Sequence, residues 1–143
     1  MTPSIDEKRL MSYVERLLPL HAPSGFEGEA DTAVCDIVST FNDAVRQDAS
    51  GNIIVHVKGR QNDNPIAVIS HKDEISMMVK RVEKDGHLRV VPVGGLHPWA
   101  IGETPVELLA DQNLVSGVLS IGSKHVSQES PAGKLKDGAP LTW

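Results

Sequence analysis

The stretch Ile66-Ala-Val-Ile-Ser-His-Lys-Asp-Glu74 places five polar residues directly after four consecutive apolar residues. A short continuous apolar run is typical of a strand that is buried on both faces of a parallel or mixed sheet. In open α/β sheets, ligands bind at the carboxyl ends of such strands. We therefore expect residues 66–69 to form a central strand, with His71 at its carboxyl end facing an open cleft.

His71 and Asp73 lie two residues apart, so an extended chain directs both side chains to the same face. A neutral imidazole can bind a divalent metal ion, and a nearby carboxylate can orient that imidazole or bind metal itself. The pair is therefore a candidate metal site. The alternative is that both are ordinary polar residues at the end of a strand.

Local signals before this stretch predict two helices and two strands. Ser4–Glu7 and Ser24–Glu27 are capping boxes, each followed by apolar residues at helical spacing. Residues 43–48 and 53–58 are predicted to be strands that join through a turn containing Gly51. With the strand at 66–69, this gives two helices followed by three strands, the opening of an α/β sandwich.

The pattern changes after residue 78. Asp85-Gly86 is a strong hairpin signal, glycines and prolines punctuate residues 92–105, and short apolar segments follow at 106–110 and 115–121. We therefore predict two domains. Residues 1–78 form the N-terminal part of an incomplete α/β/α sandwich, and residues 79–143 form part of a small β-barrel-like domain.

Composition excludes several functional classes. The net charge of −5 gives no electrostatic attraction to nucleic acid or anionic membranes. No apolar stretch approaches the ~20 residues that span a bilayer, and the N-terminus lacks the apolar segment of a signal peptide. Cys35 is the single cysteine, which favours a reducing compartment. We expect a cytoplasmic protein with no nucleic-acid or membrane partner.

Three motifs occur in order along the chain, namely residues 21–27 (His-Ala-Pro-Ser-Gly-Phe-Glu), 48–52 (Asp-Ala-Ser-Gly-Asn) and 70–74 (Ser-His-Lys-Asp-Glu). Together they resemble the N-terminal part of the tetrahedral (TET) metallo-aminopeptidases, relatives of glutamyl aminopeptidase among the zinc exopeptidases. Gly94-Gly95 and Gly117-Val118 fit the start of the inserted domain of that family. The chain departs from the pattern at two positions. Lys72 stands where an apolar residue is usual and puts a positive charge beside the proposed cation site, and Ser76 stands where glycine is usual.

The resemblance implies a hydrolase that removes N-terminal residues from peptides. It implies two divalent cations per complete site (zinc, cobalt or manganese), which activate a water while a glutamate acts as general base. His71 matches a metal ligand, and Asp73 matches the catalytic-site carboxylate that orients this histidine. The inserted β domain would pair subunits, so a homo-oligomer is expected, with dimers building towards a dodecamer.

In the family that the chain resembles, the remaining ligands and the general base follow the inserted domain. We therefore expect this sequence to be a fragment or truncated form that has no activity alone. One alternative is a non-catalytic assembly or regulatory protein that retains only the β interaction domain. Another is a binding module unrelated to peptidases. This last alternative is disfavoured if residues 21–27, 48–52 and 71–74 converge in space.

Overall fold

The computed structural model describes residues 4–61, 63–111, 113–122, 130 and 133. The chain divides into two compact units, Met1–Glu74 and Ile75–Trp143, and each is described by itself. The domains expected from the sequence, 1–78 and 79–143, stay a prediction, and part of the second range lies outside the described residues. In the described ranges, none of the helices is long and apolar enough to cross a bilayer.

The first unit begins with helix α1, which spans Glu7–Leu17. Its N-cap is Asp6, whose side chain accepts a hydrogen bond of 3.1 Å from the backbone N–H of Arg9. The capping box expected at Ser4 was therefore wrong by two residues. An aspartate caps a helix as well as a serine does, and its negative charge also interacts favourably with the N-terminal end of the helix dipole.

Helix α2 spans Gly28–Ser39 and contributes most of the small buried core of this unit. Its buried residues are Ala30, Ala33 and Ile37, which recur at the helical spacing predicted from the sequence. The same spacing also predicts that Phe41 belongs to this apolar stripe, but Phe41 lies beyond the end of α2 and is largely exposed.

A hairpin follows α2. Strand β1 spans Val45–Gln47 and strand β2 spans Ile53–Val55; they pair in antiparallel fashion, with Val45 opposite Val55. The turn between them places Gly51 at a φ of 83°, a conformation that glycine adopts without steric cost. The Asp48 carboxylate accepts hydrogen bonds from the backbone N–H groups of Ser50 and Asn52, each at 2.9 Å, and closes the turn. The predicted hairpin is confirmed.

The expected strand at 66–69 is not formed, so the prediction of three strands in the first domain was wrong. Ile66, Val68 and Ile69 are 91%, 94% and 88% exposed, and residues 65–73 carry no helix or strand. The nearest pairing is an isolated parallel bridge between Pro23 and Glu74. An apolar run forms a buried strand only if neighbouring strands and helices cover it. In the described part of this unit, β1 and β2 pair with each other and leave the run uncovered.

The described part of the second unit contains two antiparallel hairpins. Strands β3, Met77–Val82, and β4, Leu88–Pro92, join through the predicted turn at Asp85-Gly86, with a register shift between Val79 and Arg81. After the one-turn helix α3, Pro98–Ile101, strand β5 spans Thr104–Leu109 and pairs with β6, Leu114–Leu119. The α/β character is thus confirmed, whereas the barrel-like closure of these strands stays a prediction.

The uncovered apolar run leads to a prediction about association. Apolar patches of this kind rarely stay exposed in a monomer, so we expect the chain to be at least dimeric at micromolar concentration. Light scattering after size-exclusion chromatography measures this. A V68K variant should shift the population towards the monomer, because a lysine in a buried contact costs several kcal/mol, on the order of the whole affinity of a weak dimer.

The matched control is N64K, which adds the same charge at an exposed polar position in the loop just before the run. We expect N64K to associate as the wild type does. A variant V118K changes an exposed residue of β6 and measures the contribution of the second unit. A monomeric wild-type chain would contradict the prediction.

Candidate functional site

The imidazole of His71 is held by Asp73. Its Nδ1 atom lies 3.2 Å from Oδ1 of Asp73 and 3.0 Å from the main-chain oxygen of the same residue. Both oxygens are acceptors, so Nδ1 carries the proton and the lone pair of the neutral ring lies on Nε2. The His71 side chain is 86% exposed, so Nε2 is available to a ligand. Asp73 is within reach of the imidazole, as the sequence predicts, although His71 does not follow a strand.

Ser24 orients Asp73 from the other side. Its hydroxyl donates a hydrogen bond to Oδ2 of Asp73, while Oδ1 faces His71. This hydrogen bond is the main cause that holds the pKa of Asp73 below its ordinary value, and the contact with His71 lowers it further. The serine predicted to cap α2 therefore binds Asp73 instead, and Glu27, the N-cap of α2, makes no side-chain capping bond.

Backbone pairing fixes the loop 21–27 beside this pair. The Glu74 N–H donates to the carbonyl of Ala22 at 2.8 Å, and the Glu74 carboxylate accepts from the Ala22 N–H at 2.7 Å. Ala22 is 4% exposed, so these hydrogen bonds are shielded from water. The first and third motifs are thus joined directly.

Lys72 joins the third motif to the second motif and to α2. Its ammonium group pairs with the carboxylate of Asp31 and donates to the carbonyl of Gly51 at 2.8 Å. Gln47 donates to the same two acceptors, at 2.7 Å to Asp31 and 3.2 Å to Gly51. Residues 21–27, 48–52 and 71–74 therefore converge, which disfavours the reading of an unrelated binding module.

An open groove lies along this convergence. His71 and Asp73 belong to its lining, together with the run 66–69, strand β2 and Leu17 of α1. The candidate pair thus borders a space that a ligand can enter from solvent. Its lining includes both the apolar residues 66–69 and the polar residues 70–74.

His71 is one donor and not a complete metal site. Among the residues that the structure describes, no three histidine, cysteine, aspartate or glutamate side chains lie together as a metal cluster. A catalytic metal ion needs about three protein ligands. An imidazole with a free Nε2 and an orienting carboxylate on Nδ1 fits one position of such a set. The assignment of His71 to metal binding and of Asp73 to the catalytic site stays a prediction.

Local geometry alone does not single out His71, because a second pair has the same form. Nδ1 of His87 lies 3.0 Å from Oδ1 of Asp85, and both side chains are largely exposed. This pair sits in the hairpin turn between β3 and β4, and neither residue belongs to the lining of the groove beside His71. What distinguishes His71 is its surroundings, since the two residues that follow it are both held: Lys72 by Asp31 and Gly51, and Asp73 by Ser24.

Sequence reasoning missed the roles of Ser24 and of the Lys72–Asp31 pair. Ser24 is 49 residues from Asp73, and Lys72 is 41 residues from Asp31. No local pattern reports contacts over such separations. One signal was present: Lys72 has the opposite parity to His71 and Asp73, so its charge must turn away from them and find an acceptor.

The family model and the relatives that match this chain are all aminopeptidases. The model of the M42 glutamyl aminopeptidase family matches residues 51–138. The lysyl aminopeptidase of Pyrococcus furiosus is 32% identical over 133 residues, which cover 91% of this chain and 36% of that protein. The glutamyl aminopeptidase of Lactococcus lactis is 32% identical over 93 residues, covering 64% of this chain and 26% of that protein.

A solved structure is also similar. An aminopeptidase from the archaeon Desulfurococcus kamchatkensis matches with a TM-score of 0.71 and 26% identity over 94% of this chain and 42% of the other. The chain therefore spans less than half the length of each of these relatives.

The contact between Ser24 and Asp73 gives a prediction that nuclear magnetic resonance can check. In an S24A variant, the pKa of Asp73 should rise towards the ordinary aspartate value, because the carboxylate loses its principal donor. Because the wild-type pKa of Asp73 is depressed, the Ser24 and His71 contacts stabilise the folded state at pH values above the ordinary aspartate pKa. Their contribution is lost as the pH falls through the depressed value. The side-chain carboxyl resonance of Asp73 measures the titration.

The matched control is S12A. Ser12 is also exposed and donates to a backbone carbonyl, that of Arg9, at 2.8 Å. We expect S12A to leave the Asp73 titration unchanged. If S24A also leaves it unchanged, Ser24 does not orient Asp73 in solution.

Proposed function

The chain belongs to the M42 glutamyl aminopeptidase family, and from that membership we propose that it forms part of a metal-dependent aminopeptidase that acts on peptides. The structural observation that carries the proposal is the His71–Asp73 pair, with Nδ1 engaged and Nε2 free beside an open groove. The names of the lysyl and glutamyl aminopeptidases to which the chain is similar support the same activity.

Each residue of the site has a distinct task in this proposal. His71 would bind a divalent cation through Nε2, and Asp73 would keep the ring proton on Nδ1 and so hold the ring in the binding orientation. Ser24 would keep Asp73 ionised and aligned by donating to its second oxygen. When bound, a pair of such cations polarises the scissile carbonyl and lowers the pKa of a water. Zinc, cobalt and manganese all accept this type of donor.

The chain spans 36% of the lysyl aminopeptidase it matches, and His71 alone cannot hold a catalytic metal ion. We therefore propose that the other ligands and the general base belong to a longer protein that contains these residues. Peptide binding would use the groove beside His71, whose apolar lining residues suit side chains and whose polar lining residues suit the peptide backbone.

We propose further that the intact protein is a homo-oligomer in which the second unit pairs subunits, and that it resides in the cytoplasm. The exposed apolar residues of both units support the first proposal. The single cysteine supports the second.

The experiment that tests the function compares this chain with a longer polypeptide that carries the same residues and the segments present in its relatives. The 143-residue chain should show no aminopeptidase turnover, because its described residues offer no three-ligand cluster. The longer protein should hydrolyse N-terminal residues from peptides and bind divalent metal. In that protein, H71A should lower the bound metal and reduce activity to background.

H87A is the matched control, since His87 makes the same contact with a carboxylate two residues away. It should keep the wild-type metal content and activity. Failure of the longer protein to bind metal or to cleave peptides would contradict the proposal. It would leave the non-catalytic assembly protein as the better reading.

A further inference from the structure

We infer that Lys72 is a positioning residue for the His71–Asp73 pair, through its anchor on Asp31 and Gly51. The inference rests on the proposed function, because it concerns the orientation of the residues that would bind metal. Its starting point is the contrast between neighbouring side chains. Lys72 is 29% exposed, whereas His71, the residue before it, is 86% exposed.

The position of Lys72 in the chain makes it suited to this task. Successive side chains of an extended segment point to opposite sides. Lys72 lies between His71 and Asp73, so anchoring its side chain on one side directs the other two to the opposite side. Asp73 is held in turn by Ser24, so the three-residue segment is fixed from both sides.

The anchor consists of the ion pair between Lys72 and Asp31 and of the hydrogen bonds around it. The carboxylate of Asp31 accepts from Lys72 on one oxygen and from Gln47 on the other. The carbonyl of Gly51 accepts from the same two donors. Asp31 and Gly51 thus share the donors Lys72 and Gln47, and together they fix the ammonium group of Lys72. The contact is partly buried, since the Asp31 side chain is only 19% exposed. Such charge-assisted contacts are stronger than those of a solvated surface pair.

The anchor matters because the residues before it lack other support. Residues 65–70 belong to no helix or strand, and Ile66, Val68 and Ile69 are exposed. In the described part of the unit, the orientation of His71 cannot come from a sheet ladder on its N-terminal side. It depends on the contacts of residues 72–74.

The contacts of Lys72 also bear on whether its positive charge would repel a cation bound at His71. A free ammonium group near His71 would repel a divalent ion. The ammonium of Lys72 is instead compensated by Asp31, so removing it also leaves an uncompensated carboxylate on α2. Positioning and repulsion therefore predict opposite effects of removing the lysine. Positioning predicts weaker metal binding, and repulsion predicts tighter binding.

The experiment compares K72M, K72R and the wild type as full 143-residue chains. Nitrogen-15 spectra of metal-free protein report the tautomer of His71, and titration with Co²⁺ reports binding through the broadening of its ring resonances. We expect K72M to lower the fraction of neutral His71 that is protonated on Nδ1. We also expect it to weaken Co²⁺ binding at His71 by about tenfold, the smaller end of the effect of losing partners that orient a ligating histidine. K72R should restore both, because a guanidinium can reach both acceptors.

R16M is the matched control, since the Arg16–Asp36 ion pair of 2.9 Å also ends on α2 but is more exposed. It should change neither the tautomer nor the binding. Should K72M lose the folded spectrum, D31N is compared with D36N in the same two measurements. D31N should then reproduce the change of tautomer and D36N should not.

An unchanged His71 tautomer in K72M, or tighter Co²⁺ binding, would overturn the inference. The proposed function fails if the longer protein binds no metal, whereas a 143-residue chain that binds no Co²⁺ at His71 lacks the other ligands that the longer protein would supply. In that case the tautomer measurement alone decides whether Lys72 positions the ring, so the two failures are distinguishable.

Discussion

One carboxylate, that of Asp31, connects three segments that are far apart in sequence. It accepts from Lys72 in the site segment and from Gln47 at the end of β1, and it stands on α2. Among the described residues of the first unit few side chains are buried, and the buried apolar ones are alanines and one isoleucine. With so small a core, burial of apolar surface contributes little to fixing one arrangement. Directional polar contacts therefore define how the turn, the helix and the site segment meet.

Much of the local structure could be predicted from the sequence, for a physical reason. The helices and the hairpin β1–β2 depend on caps, periodic apolar residues and glycine turns, which are properties of a few consecutive residues. The run 66–69 failed as a strand because strand formation needs a partner, and the apolar pattern does not say whether one is present. The N-cap of α1 is Asp6 and not the predicted Ser4, because serine and aspartate have nearly equal capping strength and the sequence does not decide between them.

The candidate site was predictable in part. The shared parity of His71 and Asp73 correctly anticipated their contact, since it depends on two residues of one extended segment. The contacts of Ser24 and Lys72 depend on how distant segments meet, and no periodicity encodes them. His87 and Asp85 show the limit of geometry itself, because the same contact arises in a hairpin turn whose two residues do not line the groove beside His71. Family membership and surroundings, not the pair alone, carry the functional argument.

The exposed run 66–70 has a consequence for how this chain fails under stress. Five uncharged residues, rich in β-branched side chains and already accessible to solvent, have the composition of a segment that stacks into cross-β fibrils. Pro65 precedes the run and His71-Lys72 follows it, and a proline and a charge are the residues that interrupt such stacking. Lys72 therefore has a second role as a gatekeeper. Replacing Lys72 by an apolar residue would lengthen the aggregation-prone segment and remove the contact with Asp31. Heating such a chain would end in irreversible fibrillar deposition and not in a reversible unfolding transition.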